Sequence, residues 1–354
     1  MLDFIFKNMV TNLNQFNIGN KVIGGEDIFI IAEACDNHLG NMDVAEKMII
    51  ESKKAGADCI KFQHHLPDEE MLPDTPMSSN FDEPLYDFLK KYALSIEQHV
   101  TLKKICEKNK IQYLCTPFSL KAAEELNKIG VEAFKIGSGE MTDIPTLKGI
   151  ASFKKPMIIS TGMSNLDEIK RTNDHLINEC EYLAFMNCLS EYPPNYKDMN
   201  LNVITTMQKM LPNACIGHSD HAPDLYTSFA AVALGAKIIE KHIILDKTQP
   251  GPDQSVSIDM NDLSNLVDGV RKISLSLGSE KKVHDNEKQI RNWAFRSIVT
   301  LRKINKGEII KADMIWSKRP GTGIPSWRMD EILNKKLKRD IDSNVLLSWD
   351  DLED

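Results

Sequence analysis

Apolar residues along this chain come in short runs, separated by stretches whose apolar positions recur every three or four residues. Short runs bounded by Gly, Asn or Asp read as buried strands, and the stretches between them as amphipathic helices. Strands are expected at 28–33, 58–63, 111–115, 133–136, 157–160, 182–188, 215–217 and 237–241. Helices are expected at 43–55, 96–109, 120–129, 144–152, 166–179, 200–210, 222–235 and 263–277. Gly56 marks the end of the first helix, and Ser95 with Gln98 has the spacing of a capping box at the start of the second. Eight strand–helix pairs in about 250 residues fit a (β/α)8 TIM barrel. An open doubly wound sheet is the alternative, because periodicity does not show closure. The segment 64–92 is polar and carries four prolines (Pro67, Pro73, Pro76 and Pro84), so it reads as a long loop with at most a short helix. Past residue 279 the pattern changes: 280–293 is charged and low in apolar content, a linker, and 294–354 is a small β-rich module with short strands at 296–301 and 308–310. Residues 1–25 form an N-terminal extension, and 26–279 the barrel.

In a parallel strand–helix–strand sequence, the C-terminal ends of the strands share one face, and barrel enzymes place their chemistry there. Polar residues recur at those ends. Glu33 closes the first strand and Lys61 with Gln63 the second; Thr116 follows the third. Lys135, Ser138 and Glu140 stand at the end of the fourth, Ser160 at the fifth, and Ser190 with Tyr192 after the sixth. Ser219 and His221 follow the seventh, His242 ends the eighth, and Asp253 lies in the loop beyond. Two imidazoles on adjacent strand ends suit a divalent metal acting as a Lewis acid on a substrate oxygen. Lys61 and Lys135 with the hydroxyls suit a phosphate and a carboxylate, although Lys135 also suits a Schiff-base nucleophile. Glu33 and Glu140 suit proton transfer, and the sequence does not divide that work between them.

Composition narrows the class. With 354 residues and 42% apolar content the chain can bury a large core beside a smaller unit. The net charge of −8 argues against nucleic acid or an anionic membrane as partner, so an anionic substrate needs local cations. The seven cysteines are odd in number, show no Cys-x-x-Cys pair and sit mostly in apolar runs, the usage of a reduced cytoplasmic protein. No signal-peptide pattern opens the chain, and no run has the length of a membrane span.

Taken together, several segments resemble the sialic acid synthase family, meaning N-acetylneuraminate synthases and their legionaminate and pseudaminate relatives. They include Ile31-Ala32-Glu33, Asn37-His38-x-Gly40, Lys61-Phe62-Gln63, Thr116-Pro117-Phe118 and Lys135-Ile136-Gly137-Ser138-Gly139-Glu140. Ser160-Thr161-Gly162-Met163, Ser219-Asp220-His221, Glu240-Lys241-His242, Pro250-Gly251-Pro252-Asp253 and Lys318-Arg319-Pro320-Gly321-Thr322-Gly323 continue the match in order. The resemblance implies a TIM barrel followed by an antifreeze-like (SAF) domain, in a homodimer whose C-terminal domains are swapped. It implies condensation of phosphoenolpyruvate with an N-acylated hexosamine aldehyde, most simply N-acetylmannosamine, with release of phosphate; legionaminate synthesis is the alternative. It implies His221 and His242 as ligands of Mn2+, or of Mg2+ or Co2+. Lys61, Thr116, Lys135, Ser138, Ser160, Ser190 and Ser219 match the phosphoenolpyruvate pocket. Glu33, Gln63, Glu140, Tyr192 and Asp253 match the sugar side, with Arg319 reaching it from the partner subunit. Cys35-Asp36 departs from the pattern, standing where many members have a glycine and a variable residue.

Overall fold

The computed structural model describes residues 15–76, 83–249, 251 and 253–353, so much of the expected N-terminal extension and part of the 64–92 loop lie outside the described residues. The chain divides into two compact units, Met1–Leu277 and Gly278–Asp354.

The first unit opens with a hairpin of β1 (Phe16–Ile18) and β2 (Lys21–Ile23) that sequence reading left inside the extension. Eight strands follow: β3 (Phe29–Glu33), β4 (Cys59–His64), β5 (Gln112–Pro117), β6 (Phe134–Ile136), β7 (Met157–Ser160), β8 (Leu183–Cys188), β9 (Cys215–Asp220) and β10 (Ile238–His242). They form one sheet in the order β5-β4-β3-β10-β9-β8-β7-β6. The first and last of the eight pair in parallel, with Glu33 opposite His242, which an open doubly wound sheet does not do. The sheet ends, β5 and β6, are neighbours in space. The result is a nearly closed parallel barrel of the TIM type.

Strand alternation divides the residues of each strand between inside and outside. Outward residues such as Ile30, Ala32 and Ile60 pack on helices through Ala45, Met48 and Ile49. Burying each Ile contributes about 1.5–3 kcal/mol. The helix Met42–Ala55 starts at Asn41, whose side chain accepts from the Asp43 and Val44 amides, and stops at Gly56 with φ 94°. Ser95 and Gln98 make the expected reciprocal cap on Ile96–Asn109. Inward residues differ by depth. Phe29, Ile31, Cys59, Leu114 and Ile238 form an apolar lower layer, which Phe16, Ile18 and Ile23 of the hairpin close from below. Above it the inward residues become polar. Among the described residues of the 64–92 loop, Pro67–Glu70 and Leu85–Tyr92 are helical.

The second unit begins with a helix, Asp285–Ala294, inside the stretch expected as linker. Strand β11 (Ser297–Thr300) pairs antiparallel with β12 (Ile315–Lys318). The strand expected at 308–310 is reduced to a bridge between Ile309 and Lys336. Ile298, Ile304, Ile310, Ile315, Ile324 and Leu347 belong to a core of its own. No helix among the described residues is long and apolar enough to cross a membrane.

Candidate active site

The polar upper layer opens into a cavity of about 420 Å³ at the C-terminal ends of the strands. All the candidate residues of the first unit line it; Arg319 lies in the second unit. On one side stand the ammonium groups. Lys61 donates to Thr116 Oγ1 at 3.0 Å and Lys135 to Ser160 Oγ at 2.6 Å. Ser219 donates to Glu240 at 3.2 Å. Ser138 and Ser190 converge on Gly162, where a Cβ would fall 2.8 Å and 2.1 Å from their hydroxyl oxygens. Gly162 N–H donates to Ser138 Oγ at 3.0 Å. Glycine at that position keeps open a nest of hydroxyls.

The lysines are almost fully buried, which is tolerable only with counter-charges. Glu33 lies 2.8 Å from Lys61, and Glu240 lies 3.6 Å from both Lys61 and Lys135. These three ion pairs set the charge states. Burial works against ionised Glu240, but Lys135 and Lys61 outweigh it and hold this carboxyl below its usual range. Burial dominates at Glu33, and with repulsion from Glu240 it raises that pKa despite the contact with Lys61. Burial likewise lowers the pKa of Lys135 and raises that of Glu140 to about 7. The free site thus holds two cations around one firmly ionised carboxylate, with acids at Glu33 and Glu140 poised to exchange protons near neutrality. Gln63 donates to Glu33 at 2.9 Å and meets His65 at 3.0 Å.

Across the cavity His221 and His242 meet with ring centroids 5.1 Å apart. Burial lowers both pKa values to about 4, so both rings are neutral at pH 7 and keep a lone pair. His221 Nδ1 lies 2.7 Å from the Leu189 carbonyl, which fixes the proton there and leaves Nε2 as the acceptor, 3.1 Å from the Tyr192 hydroxyl. The Tyr192 ring stacks on His221 at 4.2 Å. His242 Nδ1 is buried without a hydrogen-bond partner and lies 3.6 Å from Asp253 Oδ2. Neutral imidazoles with oriented lone pairs, one unsatisfied, and a carboxylate beside them are a donor set that fits a divalent ion.

Comparison with known proteins supplies the family. The model of the NeuB family matches residues 48–282, and that of the SAF domain matches 295–353. The chain belongs to the NeuB family. It is 39% identical to an uncharacterised protein of Methanocaldococcus jannaschii over 96% of this chain and 99% of that one. It is 37% identical to the N,N'-diacetyllegionaminic acid synthase of Legionella pneumophila, over 92% of this chain and 94% of that one. Among solved structures, the N-acetylneuraminic acid synthetase of Leptospira borgpetersenii matches with a TM-score of 0.72 and 31% identity, covering 78% of this chain and 95% of that one.

This NeuB-family barrel also brings to its cavity residues to which the sequence alone assigns no role: Glu240, Asp36, His65, Phe118 and Cys188. Glu240 carried a readable signal, since strand alternation puts it on the inner face with Ile238 and His242. Asp36 and His65 carried none, because loop residues have no such periodicity. Burial raises the pKa of Asp36 to about 6, and His65 is held against Glu70 at 2.8 Å. In the second unit Arg319 lies over the Trp293 ring at 5.3 Å and donates to the Ala294 carbonyl at 3.1 Å.

Proposed function

We propose that this chain is a nonulosonic acid synthase, condensing phosphoenolpyruvate with the open-chain aldehyde of an N-acylated hexosamine and releasing phosphate. One observation carries the reading: two buried ammonium groups with a nest of hydroxyls face a neutral histidine pair across a single cavity. Lys61 and Lys135 bind the phosphate and carboxylate, and Thr116, Ser138, Ser160, Ser190 and Ser219 fix their orientation by hydrogen bonds. Gln63, Tyr192 and Asp253 receive the sugar's polar groups. A divalent ion held by His221 and His242, Mn2+ in the simplest case, would polarise the aldehyde oxygen.

Carbon-3 of phosphoenolpyruvate then attacks the aldehyde carbon, positive charge develops at carbon-2, and water adds there. Glu33 and Glu140, with pKa values raised toward neutrality, take the water's proton and supply one to the leaving oxygen. The tetrahedral adduct expels phosphate by C–O cleavage, and the lysines hold its charge throughout. Fixing both substrates at reacting distance supplies roughly 7–11 kcal/mol of barrier reduction at the upper end.

N-acetylmannosamine is the simplest acceptor. A 2,4-diacetamido-2,4,6-trideoxyhexose is the second reading, favoured by Leu85 and Leu89 on the cavity wall, which suit a 6-deoxy sugar. The deciding assay follows phosphate release from phosphoenolpyruvate with N-acetylmannosamine, its 6-phosphate and the 2,4-diacetamido sugars, before and after EDTA and with Mn2+ restored. Release with one sugar, abolished by EDTA, is expected. No release with any of them, together with a borohydride-trapped adduct on Lys135, would instead make this an aldolase.

A further inference from the structure

Cys35 lies at the metal side of the cavity and has no part in the scheme above. It is fully buried. One donor atom from each of Cys35, His242 and Asp253 lies within 4.8 Å of the other two, a spread that one ion with bonds of about 2.0–2.3 Å closes with small side-chain movements. His242 is itself only 6% exposed, and its Nδ1 reaches no hydrogen-bond partner. An unpaired thiol of this kind is ordinarily packed among apolar side chains, whereas this one sits beside a carboxylate.

We propose that Cys35 is a thiolate ligand of the divalent metal, with His242 and Asp253, and that it makes this site prefer thiophilic ions such as Zn2+, Co2+ or Fe2+ over Mg2+. This deepens the reading of the histidine pair and shares His242 with it. On binding, the S–H proton leaves to solvent and the sulfur lone pair takes up the ion, so the metal brings one more proton-release event than an oxygen–nitrogen site would. Sulfur is a soft donor, and soft donors select ions of that class, whereas Mg2+ favours oxygen. Asp253 contributes charge, leaving a ligand set with two negative groups when the thiolate forms.

Cys35 has φ 40°, in the left-handed region where glycine is unstrained, so Cys35→Gly removes the thiol without asking anything of the backbone. The test uses the full-length protein stripped of metal and titrated with Co2+, with no turnover required. Wild type is expected to develop the near-ultraviolet sulfur-to-cobalt charge-transfer band alongside the visible ligand-field bands. It should release one proton more per cobalt than Cys35→Gly and keep its cobalt against excess Mg2+. Cys35→Gly is expected to keep ligand-field bands, lose the charge-transfer band, and bind Co2+ more weakly by at least the roughly tenfold that even an outer hydrogen-bond partner of a ligand costs. Cobalt bound to wild type with ligand-field bands but no charge-transfer band overturns the thiolate and leaves the histidine pair standing. No cobalt binding to a folded wild-type protein overturns both.

Discussion

Glu240 is the counter-charge on which the anion side of the cavity depends, and Glu240→Gln tests that directly. Its carboxylate stands 3.6 Å from each lysine. Each contact is worth roughly 4–5 kcal/mol of Coulomb attraction at an effective dielectric of about 20. Much of that is returned when the carboxylate no longer has to be desolvated, and Lys61 keeps Glu33 at 2.8 Å. Lys135 has no other carboxylate within 4.0 Å among the described residues, so it is the charge left stranded. Stranding one buried charge costs about 3–5 kcal/mol, which for a barrel of this size lowers Tm by roughly 6–20 °C. Inorganic phosphate supplies the missing negative charge, so the variant should be rescued by it more than wild type is; a ligand at 100 times its Kd stabilises by about 2.7 kcal/mol. Thermal unfolding in phosphate-free buffer and at saturating phosphate measures both effects, and adding Lys135→Met should restore stability while abolishing the rescue. A Glu240→Gln protein as stable as wild type without anion, or stabilised by phosphate no more than wild type, refutes the account.

Four further outcomes follow from named contacts. Asp220 lies 3.1 Å from Lys241 and accepts from Thr227 and Ser228, so Asp220→Ala should cost about 3–5 kcal/mol in urea unfolding. Burial opposes that carboxylate, but Lys241 and His218 lower its pKa from 3.8 to about 2; its contribution is complete above 3.8 and disappears as pH falls through 2. Glu140 has the opposite sign: burial raises its pKa from 4.5 to about 7, so wild type should lose up to roughly 3 kcal/mol relative to Glu140→Gln as pH rises across that window, less for its partial exposure. Gly162→Ala should weaken phosphate binding by ~1–3 kcal/mol in calorimetry, because the added methyl falls 2.1 Å from Ser190 Oγ. If Arg319 acts on the partner subunit's site, mixing Arg319→Ala chains with His242→Ala chains should give more activity than either alone; no gain places it in its own subunit.

How much of this was legible depended on which physical pattern carried it. Strands buried on both faces are near-continuous apolar runs, and β3 and β7 match the expected bounds to within a residue for that reason. The β9 strand was cut short at 217 because Gly217-His218-Ser219-Asp220 is not apolar; it is a strand whose inner face has already become the active-site layer. The hairpin at Phe16–Ile23 was missed because three-residue strands give too short a run, and the strand expected at 308–310 failed because its neighbours there pair irregularly. Helix Asp285–Ala294 carries only Ile290, Trp293 and Ala294 as an apolar face, within its last two turns and with none of its residues buried, too short a stripe to stand out in a charged stretch.

The barrel resolves a conflict that each strand states locally. Lys61, Lys135, Glu33 and Glu240 are inward residues, where a folding core asks for apolar groups, and ion pairs buried in this way are at best neutral for stability. They are tolerated because inside and outside have been given different tasks. The outer faces hold the helices through one large apolar cluster, and the lower interior is sealed by Phe16, Ile18 and Ile23 of the hairpin. With cohesion secured there, the upper interior is free to be selected for charge, and its groups compensate one another in the absence of ligand. An anionic substrate then replaces part of that compensation instead of meeting bare cations. The free site stays folded, and the bound site gains only where the ligand's charge and shape match the place the carboxylates leave.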